Sequence, residues 1–156
     1  MKTTTIEQSL KLIEHGLHIN TADHLWAVVE KYITKDGEVK YINYYRLHTA
    51  GGDFCCVGEE LEWDKEERKR KRGDVPAWSA EALIDLMPDE IWEYCLDIGK
   101  WYDTEAQQTS YAISYERKCD GTIISGCDFN APALLDAAVS MTLWLLDNGH
   151  LKQPKK

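Results

Sequence analysis

The chain has 156 residues, a formal charge of −9, 44% hydrophobic and 29% charged residues. That length supports one ordinary core without disulfide or metal staples and is short for two. The negative excess argues against a general affinity for nucleic acid, which needs clustered Lys and Arg to displace counterions; solubility is its plainest use.

The first helix is expected from about Thr5 to His15. Thr5 with Gln8 forms a capping box, Ile6, Leu10, Ile13 and Leu17 recur at helical spacing, and Gly16 offers the stop. Glu7, Lys11 and Glu14 then share an outward face. A hairpin follows, Leu25 to Ile33 and Val39 to His48, flanking an Asp36-Gly37 turn. That turn sets a register in which Trp26 faces Leu47, Val28 faces Tyr45, Glu30 faces Asn43 and Tyr32 faces Tyr41, gathering the large rings on one side.

From Glu59 to Asp74 six acidic residues precede the basic run Arg68 to Arg72, and the block reads as a mobile charged loop at about 59–74. Ser79 caps a short helix stapled by Trp78 against Leu83 and ended by Pro88. Trp92 to Ile98 alternates strictly, so Trp92, Tyr94, Leu96 and Ile98 are expected inside a half-buried strand. Tyr111 to Tyr115 and Gly121 to Ile124 read as further strands, with Asp103 to Gln108 as a loop and a second turn at Asp120-Gly121. The last helix spans Asn130 to Gly149, with Asn130 as N-cap, Pro132 in the first turn and Gly149 at the left-handed stop. Leu134, Leu135, Ala138, Met141, Thr142 and Leu145 mark its broad buried side, and Asp136, Ser140, Leu143 and Asp147 a narrow polar strip.

Hairpins without regular strand-helix-strand alternation predict an α+β fold: a mainly antiparallel sheet of about five strands with three helices packed on one face. Residues 1–151 form the single domain and 152–156 a disordered tail. Five cysteines, Cys55, Cys56, Cys95, Cys119 and Cys127, form an odd set with no apolar secretory core before them, so a reducing cytoplasm is expected. No apolar stretch reaches the roughly 20 residues that cross a bilayer, so no membrane partner is expected.

The chemistry is sparse. His15, His18 and His24 lie near Asp23, but their spacing matches no metal motif, and neither does that of Cys55-Cys56 or Cys119 to Cys127; no metal and no cofactor are expected. His48 lies near Cys55 in sequence only, and Glu93 with Asp97 is one acidic pair among many. Gly51-Gly52-Asp53 leads into no helix that would hold a phosphate, and none of the common nucleotide or hydrolase motifs is present.

Three blocks together resemble a known group: Glu7-Gln8 to Leu17 with Asn20 to Asp23, Pro76 to Ser79 with Leu83 to Pro88, and Asp136 to Leu151. They resemble small uncharacterised proteins of phages and mobile elements in gut Bacteroidetes. What the resemblance implies is an accessory role inside a bacterial cell. The shared pattern is one of caps and core positions and brings no catalytic residue with it.

The leading expectation is a non-enzymatic interaction module acting on a host or element-encoded protein, with an interaction surface drawn from Trp26, Tyr44, Trp63, Trp101 and Tyr102. Six Trp and eight Tyr are many for a core this size, and such rings are favoured contact residues. The alternatives are a small hydrolase or transferase using a Cys-His or carboxylate pair, and an acidic competitor of nucleic acid for a host protein.

Overall fold

The computed structural model describes residues 3–35, 38–49, 56–62 and 75–151, with the backbone alone for 27–35, 38–49 and 56–62. In chain order come α1 (Ile6–Glu14), a 3-10 turn (Ile19–Thr21), β1 (His24–Lys35), β2 (Glu38–Thr49), β3 (Cys56–Glu62) and β4 (Val75–Ala77). Then follow α2 (Ala80–Leu86), β5 (Glu90–Ile91), β6 (Tyr94–Asp103), β7 (Gln108–Arg117), β8 (Ile123–Ala131) and α3 (Leu134–Asp147).

The fold is α+β and its sheets are antiparallel. Where one sheet of about five strands was expected, the described strands form two sheets of four, ordered β3-β2-β1-β4 and β5-β6-β7-β8. The unexpected strands are β3, read in part as charged loop, and β4 and β5, three- and two-residue strands too short to show periodicity. The hairpin register is the expected one, with Trp26 opposite Leu47, Val28 opposite Tyr45, Glu30 opposite Asn43 and Tyr32 opposite Tyr41. Asp36 and Gly37, Gly51 to Asp53, Cys55, the 63–74 part of the charge block and the 152–156 tail lie outside the described residues. Glu59 to Glu62, expected in the loop, belong to β3, where Glu60, Leu61 and Glu62 pair with β2.

Local chemistry sets the helix ends. In α1, Gln8 donates its amide to the Thr5 hydroxyl and its side-chain oxygen accepts from the Thr5 amide. Gly16 and Leu17 then donate to Ile13 and Leu12, with Gly16 at a φ of +103° that a β-carbon would disfavour. The core stripe of α1 is rotated from the expected one: Ser9, Leu12 and, just past the helix, Leu17 are buried, while Leu10 is 36% exposed. Thr4 accounts for the rotation, because its hydroxyl lies 2.7 Å from the Ser9 hydroxyl and gives that small polar face a buried partner.

Helix α3 starts three residues later than expected. Asn130 is not its cap; it lies in β8 opposite Ala112, where the ladder with β7 holds its backbone extended. Ala133 takes the cap position without a side-chain bond. At the other end Gly149 and His150 donate to Leu146 and Leu145, the double closure expected at a left-handed glycine. The polar strip of α3 meets α1: Gln8 donates to Asp136, and His15 Nδ1 lies 2.7 Å from an Asp147 oxygen. These bridges lay the two helices side by side in the same direction.

Between the helices and the second sheet lies the core, formed by Leu12, Leu17, Trp78, Leu83, Ile113, Tyr115, Cys127, Met141 and Leu145 with their neighbours. Helix α3 covers β7 and β8, leaving much of β6 beyond its reach. Strand β6 also runs past the expected end at Ile98 to Asp103, because Gln108 to Ser110 continue the ladder opposite Trp101 to Asp103.

The β6 ladder carries a prediction. Leu96 donates its amide to Asp89, on the side away from β7. Backbone groups alternate along a strand, so Ile98, Lys100 and Tyr102 point outward as well, while Asp97, Gly99 and Trp101 bond to β7. Amide hydrogen exchange read by NMR should find 97, 99 and 101 protected and 98, 100 and 102 fast. Equal protection along the strand would show that the outer edge is covered.

Candidate functional site

Of the five residues expected at an interaction surface, the structure brings two together at the surface. Trp101 is 43% and Tyr102 61% exposed, adjacent on β6 and directed to opposite faces of its sheet. Trp26 is withdrawn from that surface. It is 1% exposed and its indole N–H donates to the Thr4 carbonyl at 2.9 Å, so its ring and its polar edge are both satisfied inside. Tyr44 lies on β2 opposite Val29, described by its backbone alone, and Trp63 lies outside the described residues.

Two exposed residues run against the sequence pattern. Trp92, expected inside a strand, occupies the turn between β5 and β6 at a φ of +54° and is 73% exposed. Its ring meets His150 edge-on at 5.4 Å, and His150 in turn stacks on Trp144 at 5.8 Å. A bulky residue with positive φ is uncommon, and the unbroken alternation around it hides the turn. Ile98 keeps the helix-side orientation expected for it but is 41% exposed, because α3 does not extend over it.

The histidine group is dispersed. His15 meets Asp147, His18 accepts the Asn20 amide as cap of the 3-10 turn, and His24 is buried beside Asp23. Among the described residues no three His, Cys, Asp or Glu gather in a metal-holding group.

Asp23, His24 and Ser79 have the residue types of a hydrolase triad but not its wiring. The Ser79 hydroxyl donates to Asp23 and accepts from the Ala82 amide, while the Ser79 amide donates to Asp23 at 2.8 Å. The serine proton therefore goes to the carboxylate rather than to the imidazole, and the oxygen is engaged as a helix cap. His24 Nδ1 lies 3.0 Å from Asp23 without hydrogen-bond geometry. This is a buckle joining β1 to α2. Burial pushes the Asp23 carboxyl up, but the close His24 imidazole and the hydrogen bonds from Ser79 outweigh it and hold the group below its ordinary value.

Asp23→Ala should accordingly cost about 1–2 kcal/mol at neutral pH, the lower part of the range for donors left unpaired, here the Ser79 amide and hydroxyl. Water still reaches the carboxylate, whose side chain is 38% exposed. A lowered folded value means that its stabilisation is full above the unfolded value of about 4 and fades as pH falls through the folded one. Wild type and variant should thus converge in acid in urea titrations; a constant gap would assign the loss to packing.

Cysteine chemistry finds little support at Cys127. Burial pushes its thiol up to about 11, and its sulfur lies 3.5 Å from that of Met141. Cys95 and Cys119 are free thiols, half-buried and exposed. Burial, with Cys127 and Asp89 nearby, likewise raises the Tyr115 phenol, which donates to the Pro88 carbonyl at 2.7 Å. Near Asp120-Gly121, Arg117 grips Asp120 and Glu93, and those hydrogen bonds lower the Asp120 carboxyl and raise the guanidinium.

The most distinctive exposed feature is thus the far half of β6, with Ile98, Trp101 and Tyr102 on a strand whose outer backbone groups are unpaired among the described residues. No protein family, curated protein or solved structure matches the chain. No helix among the described residues is long and apolar enough to cross a membrane.

Proposed function

We propose that this chain is a non-enzymatic binding module whose contact surface is the far half of β6. The exposure of two adjacent large aromatics, Trp101 and Tyr102, on a sheet margin supports this reading most directly. Amphipathic rings of this kind bury large area at low conformational cost when a protein partner covers them. The wiring of Asp23, His24 and Ser79 and the raised Cys127 thiol weigh against hydrolytic chemistry at those positions. The resemblance noted in the sequence supports placing the role in the cytoplasm of a bacterium, as an accessory protein of a phage or mobile element.

The test compares wild type with the Trp101→Ala/Tyr102→Ala double variant as baits in paired capture from bacterial lysate. Both rings are exposed, so the variant should stay folded, and proteins held by wild type should be lost from it. Identical capture by the two baits would remove this surface from the function.

A further inference from the structure

We infer that the outer edge of β6 takes up an extended, alternately basic segment of a partner protein as a fifth strand of the second sheet. This rests on the β6 reading above and names the kind of partner. Strand β5 covers only Tyr94 and Cys95, and the Asp89 carbonyl takes the Leu96 amide. From Ile98 to Tyr102 the outward N–H and C=O groups meet no strand among the described residues. Such an edge is a template for strand addition unless it is blocked, often by an outward lysine. Lys100 stands at the right place to block it, but its ammonium lies over the Tyr111 ring at 5.8 Å, drawn inward across the sheet.

The two faces beside the edge differ, and the difference selects the occupant. Odd positions of β6 share a face with Ser114, Glu116 and Asp128, and contribute Asp97, Trp101 and Asp103. On that face β6, β7 and β8 supply four carboxylates, at 97, 103, 116 and 128, and no Lys or Arg. The even face offers Ile98 and Tyr102, both well exposed. An added strand therefore gains by turning basic residues toward Asp97 and Asp103 and apolar ones toward Ile98 and Tyr102. A second copy of the chain fits less well, since each carries a charge of −9.

Register makes the test specific. Residues of the added strand opposite Ile98, Lys100 and Tyr102 are the apolar ones, and their amides point at β6. The probe is the octapeptide acetyl-(Lys-Val)4-amide, with acetyl-(Glu-Val)4-amide as control. Binding to the wild-type chain should slow exchange at the amides of 98, 100 and 102, and the acidic control should bind about tenfold more weakly or worse. N-methylation of the valine amides should abolish binding, whereas N-methylation of the lysine amides should spare it. Lys100→Pro removes an outward donor, at a place where an edge strand tolerates proline, together with the ammonium over Tyr111, and should weaken binding by about tenfold or more.

Absence of binding, equal binding of the acidic peptide, indifference to valine methylation, or self-association through β6 at pH 7 would each overturn the inference. The two readings also fail separately. If the lysate partners survive Lys100→Pro but not Trp101→Ala/Tyr102→Ala, strand addition falls and the aromatic surface stands. With the opposite pattern, strand addition stands and the aromatic surface falls.

Discussion

Trp78→Ala should lower the unfolding free energy by about 3–5 kcal/mol, the range for deleting a large buried ring. The side chain is 0% exposed, its indole N–H donates to the Thr21 hydroxyl at 2.9 Å, and its neighbours come from several elements. Its backbone is also committed, since the Trp78 amide donates to the Thr4 hydroxyl and its carbonyl accepts from the Thr4 amide. Those bonds survive truncation, so the loss reports the cavity and the orphaned Thr21 contact. Urea unfolding with an unchanged slope would measure it. A loss below about 1 kcal/mol would mean that the site collapses around the missing ring or that the ring does not stand between the helices.

A second large effect is expected for Leu145→Ala, about 2–5 kcal/mol. Leu145 is fully buried on the face of α3 opposite its polar strip, and its carbonyl closes the helix by accepting from His150. Substitution leaves that closure intact, which isolates packing from capping. Leu143→Ala, on the half-buried strip, should cost distinctly less. Thermal unfolding gives the comparison, with roughly 2–4 °C lost per kcal/mol in a chain of this size. Equal shifts for the two variants would contradict the orientation of α3.

What the sequence made legible is what local rules control. Thr5 with Gln8, Ser79 before α2 and Gly149 after α3 each name a helix end through one side chain or one φ angle. Reading Asp36-Gly37 between two β-branched runs as a two-residue turn leads to the observed register of β1 and β2 residue by residue. Where a distant contact decides, the sequence misleads. Asn130 and Pro132 read as a helix start, yet pairing of Asn130 with Ala112 makes Asn130 part of the end of a strand. Leu10 fits the apolar spacing of α1, yet the Thr4-Ser9 contact turns Leu12 inward instead.

The aromatic residues divide in the same way. Trp26, in the apolar run Leu25 to Val29, and Trp101, in the mixed run Lys100 to Asp103, both lie on strands, and composition treats them alike. Trp26 is buried because Thr4, 22 residues earlier, provides an acceptor for its N–H. Trp101 is exposed because its position on β6 turns it to the sheet face that α3 does not pack against. Neither cause is written within either residue's own neighbourhood.

Brevity in β5 also shapes how the molecules behave in a crowd. With a pI near 5.0, mild acid removes the mutual repulsion that keeps copies apart at neutral pH. The edge of β6 left unpaired among the described residues, with its lysine folded inward, is then where neighbours would first lock together. Turbidity of concentrated stocks should peak close to that acidity, and Lys100→Pro should flatten the peak.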